Sequence, residues 1–350
     1  MGHSRTEALP ATVAAALRWA TDLGLERLSA QWLLLHALGR PLDARAWLLA
    51  HDDAVLDDGV WTRYRALCLC HRDGEPLAYL TGERGFYGLT LRVDARVLDP
   101  RPDTETLVDW ALELLQAIHA PTVLDMGTGS GAIALALAHQ RPDASVWALD
   151  ASTDALAVAA ANGQRLGLPV HWIHGHWWDG WCPWTPTDPA IDQGTNAQRC
   201  GTSIANGDHT GACLDSPTTD GSSVLTPTHF DLIVSNPPYL RESDPHLTAL
   251  RHEPRSALVA GPDGLRDLRT LVARAPQRLR ADGWLLLEHG WDQADAVAAL
   301  LRARGFVDVA HRCDLGGHRR CTGGRWPAAH AALPSGPPQP VPGTLAGGAR

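Results

Sequence analysis

Between Thr6 and about His71, apolar side chains recur every three to four positions through Leu17, Leu25, Trp32, Leu33, Leu48, Trp61, Tyr64 and Leu67. A helix lines such positions up on one face. Gly39-Arg40-Pro41 and Asp57-Asp58-Gly59 interrupt the run where the chain must turn. The pattern predicts a small antiparallel helical domain over residues 1–75, with its leucines and tryptophans in the core. The period then shortens. Over residues 76–105, Leu77 to Gly82 leads into Phe86-Tyr87-Gly88-Leu89-Thr90-Leu91-Arg92-Val93, whose alternation predicts a hairpin. Leu98 to Glu105 is a proline-stiffened loop ending at a helix start, with Asp103 or Thr104 as the cap of a helix through Leu107, Trp110 and Leu114.

From Thr122 onward strands and helices alternate. Val123 to Met126, Ser145 to Asp150, Val170 to Ile173, Phe230 to Val234, Trp284 to Glu288, Phe306 to Ala310 and Arg319 to Arg325 read as strands. Ala132 to His139, Thr153 to Leu166, Leu268 to Leu279 and Asp292 to Arg304 read as helices. This texture predicts an α/β domain over residues 106–326, a parallel doubly wound sheet. Residues 183–228 break the rhythm with Thr, Pro, Gly, Ser and Asn and no apolar period, and are expected to be a disordered insertion. Residues 327–350, dense in Pro, Gly and Ala, are expected to be a disordered tail.

Composition narrows the function classes. A formal net charge of −9 argues against broad charge-driven binding to nucleic acid. Every basic side chain apart from histidine is arginine, and Trp, Ala, Gly and Pro are abundant, which discounts the 14 tryptophans as individual signals. Seven scattered cysteines contain no C-x-x-C pair, so neither a disulfide framework nor a standard zinc site is indicated. The dispersed histidines suggest no metal either. No apolar stretch is long enough to span a bilayer and none reads as a signal peptide, so a cytoplasmic monomer is expected.

Two stretches carry chemistry. Asp125-Met126-Gly127-Thr128-Gly129-Ser130-Gly131 joins a strand to a helix, where glycines permit a tight turn and the helix start offers free N–H groups. Asp150 ends the next strand, at the spacing that brings a carboxylate to a ribose hydroxyl in nucleotide-binding βαβ units. A tight turn alone would explain the glycines; with Asp150, a nucleoside-containing cofactor explains more. The second stretch is Ser235-Asn236-Pro237-Pro238-Tyr239. Two prolines cannot continue a strand, so a stiff turn presents an amide, carbonyls and a ring suited to holding a flat amide or exocyclic amine.

The order Asp-x-Gly-x-Gly-x-Gly resembles motif I of class I S-adenosylmethionine-dependent methyltransferases, and Asn-Pro-Pro-Tyr resembles motif IV of those that methylate planar nitrogens. Together with Tyr79 to Glu83, Pro100 to Glu105, Asp244 to Leu247 and Leu285 to Gly290, the set resembles the protein-(glutamine-N5) methyltransferases acting on peptide chain release factors, the PrmC/HemK family. The resemblance runs from the N-terminal helices to about Arg325, leaving out residues 183–228. It implies a Rossmann-like class I methyltransferase fold behind a helical substrate-docking domain. It further implies that Gly127, Thr128, Gly129, Ser130 and Gly131 line the methionine and ribose part of S-adenosylmethionine and that Asp150 holds the ribose. Trp177 would pack near the adenine, and Asn236 would touch both cofactor and substrate amide. One departure is His176, where the family usually has an acid.

The chemistry agrees with the resemblance. An amide nitrogen is a poor nucleophile because its lone pair is delocalised. The Asn236 side-chain oxygen and Pro237 carbonyl could accept both N–H groups while Tyr239 packs on the amide plane and Pro238 stiffens the turn. Three alternatives stay open on the residues: a ribosomal-protein glutamine as target, an adenine-N6 nucleic-acid methyltransferase, and a binding module without activity. The acidic charge weighs against the second and the intact motifs against the third.

Overall fold

The computed structural model describes residues 12–185 and 226–328. The expected insertion 183–228 and tail 327–350 fall outside the described residues except at 183–185, 226–228 and 327–328.

The first five helices are α1 (Val13–Asp22), α2 (Arg27–Ala37), α3 (Arg45–Ala50), α4 (Asp58–Arg72) and α5 (Leu77–Thr81). Thr12 caps α1 by accepting from the Ala15 N–H at 3.3 Å, and Asp57 caps α4 from Val60 at 2.8 Å. α2 is central, packing on α1, α3, α4 and α5, which is why Leu33, Leu34 and Leu35 are all fully buried although they are consecutive. Trp19 and Trp61 meet edge-to-face beside Tyr64. The stretch from Leu77, which the sequence shows only as leading into the hairpin, forms the helix α5. Leu80 joins this helical core, and Gly82 at φ 75° ends the helix.

The hairpin forms from β1 (Glu83–Phe86) and β2 (Leu89–Arg92), with Tyr87 and Gly88 at φ 47° and 77° making a two-residue turn of matching twist.

An eight-stranded sheet follows, built from β3 (Thr122–Met126), β4 (Ser145–Asp150), β5 (His171–His176), β6 (Asp179–Pro183), β7 (Phe230–Ser235), β8 (Leu279–Glu288), β9 (Val307–Cys313) and β10 (Arg319–Arg325) in the order β6-β5-β4-β3-β7-β8-β10-β9. Helices α6 (Glu105–Leu115), α7 (Ala132–Gln140), α8 (Thr153–Leu166), α9 (Arg266–Arg274) and α10 (Ala294–Arg304) cover its two faces. Alternate strand residues serve opposite cores. Val123, Val146, Val234 and Leu286 pack with α6, α7 and the hairpin, whereas Leu124, Trp147, Ile233 and Leu287 pack with α9 and α10.

The doubly wound α/β class is borne out, but the sheet is parallel only from β5 to β8. β6 and β10 run antiparallel to their neighbours. The reason is connection length. Only Trp177 and Trp178 separate β5 from β6, and five residues separate β9 from β10, too few for the crossover that a parallel neighbour requires. The helix expected over Leu268 to Leu279 also stops early, at Arg274. Pro276 cannot extend it, and Leu279 opens β8 opposite Phe230.

Candidate functional site

Backbone register builds the site. β3 and β7 pair Met126 with Ser235, and β7 and β8 pair Ser235 with Leu287. Gly127, Asn236 and Glu288 therefore stand one residue further on at the same carboxyl edge. The Ser235 hydroxyl donates to the Met126 carbonyl at 2.6 Å and fastens the two central strands where they end. Chain order reverses between β3 and β7, the place where open α/β sheets hold ligands.

The loop after β3 is possible because Gly127, Gly129 and Gly131 all adopt positive φ. The N–H groups of Gly127 and Thr128 both donate to the Leu149 carbonyl, at 2.8 and 3.0 Å, anchoring the loop on β4. Asp125 lies fully buried beneath it and accepts from the Thr128 hydroxyl at 2.6 Å and the Ala134 N–H at 3.2 Å. Burial pushes its carboxyl up to about 7 against those hydrogen bonds. Asp150 accepts from Gly129 N–H at 2.8 Å and Ser152 N–H at 2.9 Å. Burial raises its pKa, while these N–H donors favour the charged form. A carboxylate accepts about four hydrogen bonds, so sites remain on Asp150 for hydroxyls in the adjoining cavity.

That cavity, ≈ 660 Å³, is lined by Gly127, Thr128, Gly129, Ser130, Asp150, His176, Trp177, Asn236 and Pro238, among others. Its size is ordinary for a small-molecule site. Trp177 is nearly buried and its ring edge lies 3.4 Å from where a Cβ on Gly127 would sit, so glycine keeps the ring close to the loop. Its indole N–H donates to Asp267 at 3.1 Å. Trp178 packs away from the cavity and donates to the Thr270 carbonyl. Gly131 starts α7 against Leu135 and Ala159.

A second cavity of ≈ 540 Å³ is walled by Arg101, Tyr239, Arg241, Gln293, Arg320 and others. Asn236, with Leu98 and Ala257, lines both cavities. The Asn236 Nδ2 donates to the Thr104 hydroxyl oxygen at 3.2 Å. Thr104 does precede α6 as expected, but its side chain makes no capping bond, because Asn236 takes its oxygen. Pro237 is buried behind the turn. Burial pushes the Glu288 carboxyl up to about 7, against the Thr104 hydroxyl, Arg320 and the Tyr239 hydroxyl, which favour its charged form. Burial also raises the Tyr239 phenol well above its usual range.

Several residues at the site carried no assigned role in the sequence. For Glu288 the sequence leaves open a buried strand acid near the site and a mere strand-end residue, and the structure buries it beside Asn236. Gln293 donates to the Tyr239 carbonyl at 3.0 Å and accepts from Gly290 at 2.9 Å, bracing the proline turn. Fully buried Asn162 donates to Ser130 and Arg92 carbonyls and accepts from Arg92 N–H, tying the glycine loop to the hairpin. Arg101 pairs with Glu253 and Asp99, and Glu105 accepts from the Tyr87 N–H at 2.8 Å. Asp99 and Gly290 are near neighbours of Arg101 and Gln293, but Tyr239, Ser130, Arg92 and Glu253 lie far from their partners in sequence, so no local pattern announces those contacts.

Comparison with known proteins accounts for both halves of the chain. A family profile described as the PrmC N-terminal domain matches residues 12–82, and one described as a methyltransferase domain matches residues 123–188. The release factor glutamine methyltransferase of Burkholderia pseudomallei is 41% identical over 92% of this chain and 99% of its own length. That of Bordetella pertussis is 43% identical over 87% and 96%. A crystal structure titled as the release-factor-specific protein-(glutamine-N5) methyltransferase of Alicyclobacillus acidocaldarius is 28% identical, covers 65% of this chain and 94% of that one, and superposes with a TM-score of 0.33. With identities of this size running from the helical unit through the sheet, the chain belongs to the release factor glutamine methyltransferase family.

Proposed function

We propose that this chain transfers a methyl group from S-adenosylmethionine to the side-chain amide nitrogen of the glutamine in the Gly-Gly-Gln motif of peptide chain release factors. One observation carries this reading: Asn236 stands in the wall between two cavities, one over the glycine loop and one beside Tyr239. A donor in the first and an amide in the second would meet at its side chain.

The residues fit the cofactor. Gly127, Thr128, Gly129 and Ser130 leave the cavity floor free of large side chains, while Gly131, outside the lining, packs on Leu135 and Ala159. Asp150 keeps acceptor sites for a ribose, and Trp177 offers an aromatic wall with His176 at the rim. When bound, S-adenosylmethionine supplies an electrophilic methyl group on a sulfonium.

The chain's own residues do the rest. Asn236 is fixed through Nδ2 to Thr104, so its Oδ1 is free to accept one N–H of the substrate amide, with the Pro237 carbonyl as the second acceptor. Both would draw positive charge off the nitrogen as its bond to the methyl forms and the methyl–sulfur bond breaks, and one of the two N–H protons would then leave to water. Tyr239 and Pro238 hold the amide plane on either side of the junction. Positioning of this kind is worth about 7–11 kcal/mol, and the reaction needs no nucleophilic side chain. The helical unit α1 to α5 is the surface we assign to docking the release factor, in the cytoplasm.

The test is to incubate the protein and methyl-labelled cofactor separately with release factor, ribosomal protein and DNA. Label on the release factor glutamine is expected; label on either of the others instead would overturn the substrate assignment. Asn236→Ala is expected to abolish transfer while leaving most cofactor affinity, and near-normal turnover by that variant would overturn the role of the turn.

A further inference from the structure

We propose that Glu288, acting through the Thr104 hydroxyl, sets which end of the Asn236 carboxamide faces the substrate, and is thus a positioning residue for methyl transfer. The inference rests on the reading of Asn236 as acceptor for the substrate amide, and deepens it.

A carboxamide can sit either way round, and the two ways present opposite chemistry to a substrate N–H: an acceptor or a donor. Packing barely distinguishes them, so the hydrogen-bond partner must. Thr104 has a single hydroxyl hydrogen. An ionised Glu288 has none to give, stands buried beside Asn236 and has its charged form favoured by the Thr104 hydroxyl, so in the proposed relay the Thr104 hydrogen points to Glu288. The Thr104 oxygen is then only an acceptor, and Asn236 meets it with Nδ2 at 3.2 Å. Oδ1 is turned to the cavity junction. The directionality is relayed from the carboxylate, through the hydroxyl, to the carboxamide.

Two further features point the same way. Glu288 is 1% exposed, and its Oε2 has no hydrogen-bond partner among the described residues. An incompletely solvated buried carboxyl costs stability, and the packing of β8 does not require one. Register puts it there: Ser235 pairs with Leu287, so Glu288 stands beside Asn236. The Tyr239 phenol also faces this carboxyl, so one group borders two walls of the substrate cavity.

Glutamine at this position could donate to Thr104 instead, letting Thr104 donate to Asn236 Oδ1 and turning Nδ2 towards the substrate. Protonation of Glu288 has the same effect. The charged and titratable groups facing Glu288 are Asp103 before α6, Tyr239 after β7, and Arg320 and Cys321 on β10. Arg320 favours the carboxylate, and burial and Asp103 oppose it.

The experiment is a steady-state kinetic comparison of wild type, Glu288→Gln, Thr104→Val, Thr104→Ser and the Glu288→Gln/Thr104→Val pair, on release factor with labelled cofactor, alongside cofactor titration by calorimetry. Glu288→Gln and Thr104→Val should each lower kcat by about 10-fold or more, the scale of one misdirected buried hydrogen bond. Cofactor affinity should hold, and Thr104→Ser should stay near wild type. The double variant should lose no more than Thr104→Val alone, because both act through one relay. Wild-type kcat should fall as the pH drops below about 7, the value to which burial pushes Glu288, and Glu288→Gln should lack that limb. Wild-type turnover by Glu288→Gln, or additive losses in the pair, would overturn the relay alone. If Glu288→Gln fails to fold, the contrast between valine and serine at position 104 decides. No label on the release factor with wild type would overturn the substrate reading and the relay together.

Discussion

The helical unit and the carboxyl edge of the sheet bury different kinds of side chain. In the helical unit the core is Leu33, Leu34, Leu35, Leu48, Trp61, Tyr64 and their neighbours, and its buried polar residues are Gln31 and Thr81. No carboxylate is buried there among the described residues. The sheet edge buries Asp125, Asp267, Glu253 and Glu288, together with His289 and Asn162. Burying an acid costs free energy that burying leucine returns. The first region is organised for stability and the second accepts a loss of stability for chemistry; His36, Tyr64 and Cys68 are displaced in the first, but the carboxyls raised by burial lie outside it. The contrast predicts that substitutions in the two regions separate cleanly into effects on folding and effects on turnover.

The largest effect should come from the helical core. Leu33→Ala removes a fully buried side chain from the central helix, a change that costs about 2–5 kcal/mol. Urea unfolding should show that loss, while the protein still folded binds cofactor as tightly as wild type by calorimetry. A parallel fall in affinity would mean the two regions do not divide their work in this way.

Next comes Gly264, at φ 74°. A Cβ there would stand 2.3 Å from the Tyr239 carbonyl and 2.8 Å from Gln293 Nε2. Backbone contacts that close must open, and the carbonyl that moves belongs to the proline turn. Gly264→Ala should therefore lower kcat by about 10-fold or more, in keeping with misplacement of a positioned group, with a smaller change in cofactor affinity. Unchanged kcat would show that the turn tolerates the shift.

These residues also mark what the sequence discloses. The α/β class, the hairpin and the helical unit were legible because hydrophobic period and glycine or proline punctuation are local. So were the two motifs, since Gly127 to Gly131 and Asn236 to Tyr239 each announce an unusual backbone. Illegible were β6, two residues beyond β5 and interrupted by Gly180, and the early end of α9. Nor could the pairing of Thr104 with Asn236, of Asn162 with Ser130, or of Gln293 with Tyr239 be read. Those bonds exist because strands β3, β7 and β8 end in register, and register is set by the whole sheet rather than by neighbours in sequence.

A pH series sharpens the comparison further. Asp125 and Glu288 sit at about 7 in the folded chain, against ordinary values of 3.8 and 4.5. The native state keeps protons that the unfolded chain has lost, so their contribution is fully present below the unfolded values and is lost as pH rises through about 7. His289 is opposite: burial pushes it from 6.5 down to about 4, so its contribution is present above 6.5 and lost as pH falls through about 4. Burial also lowers His36, His171 and His311 and raises Asp99 and Asp150, so the share of Asp125 and Glu288 is read from the difference between wild type and a variant lacking both acids. Between about pH 5 and about pH 8 the urea midpoint of wild type should fall more steeply, or rise less, than that of the Asp125→Asn/Glu288→Gln pair. Leu33→Ala should lower the whole curve without changing its slope. Equal slopes in wild type and the acid-site pair would remove the buried acids from the account.

The smallest effect tests the cavity wall that we propose for the cofactor. Trp177 lines the cavity with its ring and spends its indole N–H on Asp267, which Arg266 also pairs at 3.0 Å. Trp177→Phe keeps an aromatic face beside Gly127 but removes that donor. Asp267 retains its arginine, so the acid is not left alone, and the ring loses its tether rather than its place. The cost to cofactor binding should then be about 1 kcal/mol, the net worth of one hydrogen bond, and kcat at saturating cofactor should hold. Trp177→Ala removes the wall itself and should weaken binding more. If phenylalanine and alanine weaken binding equally, the indole N–H accounts for the whole of the residue's role and the aromatic face for none of it, which would move the cofactor's stacking partner away from Trp177.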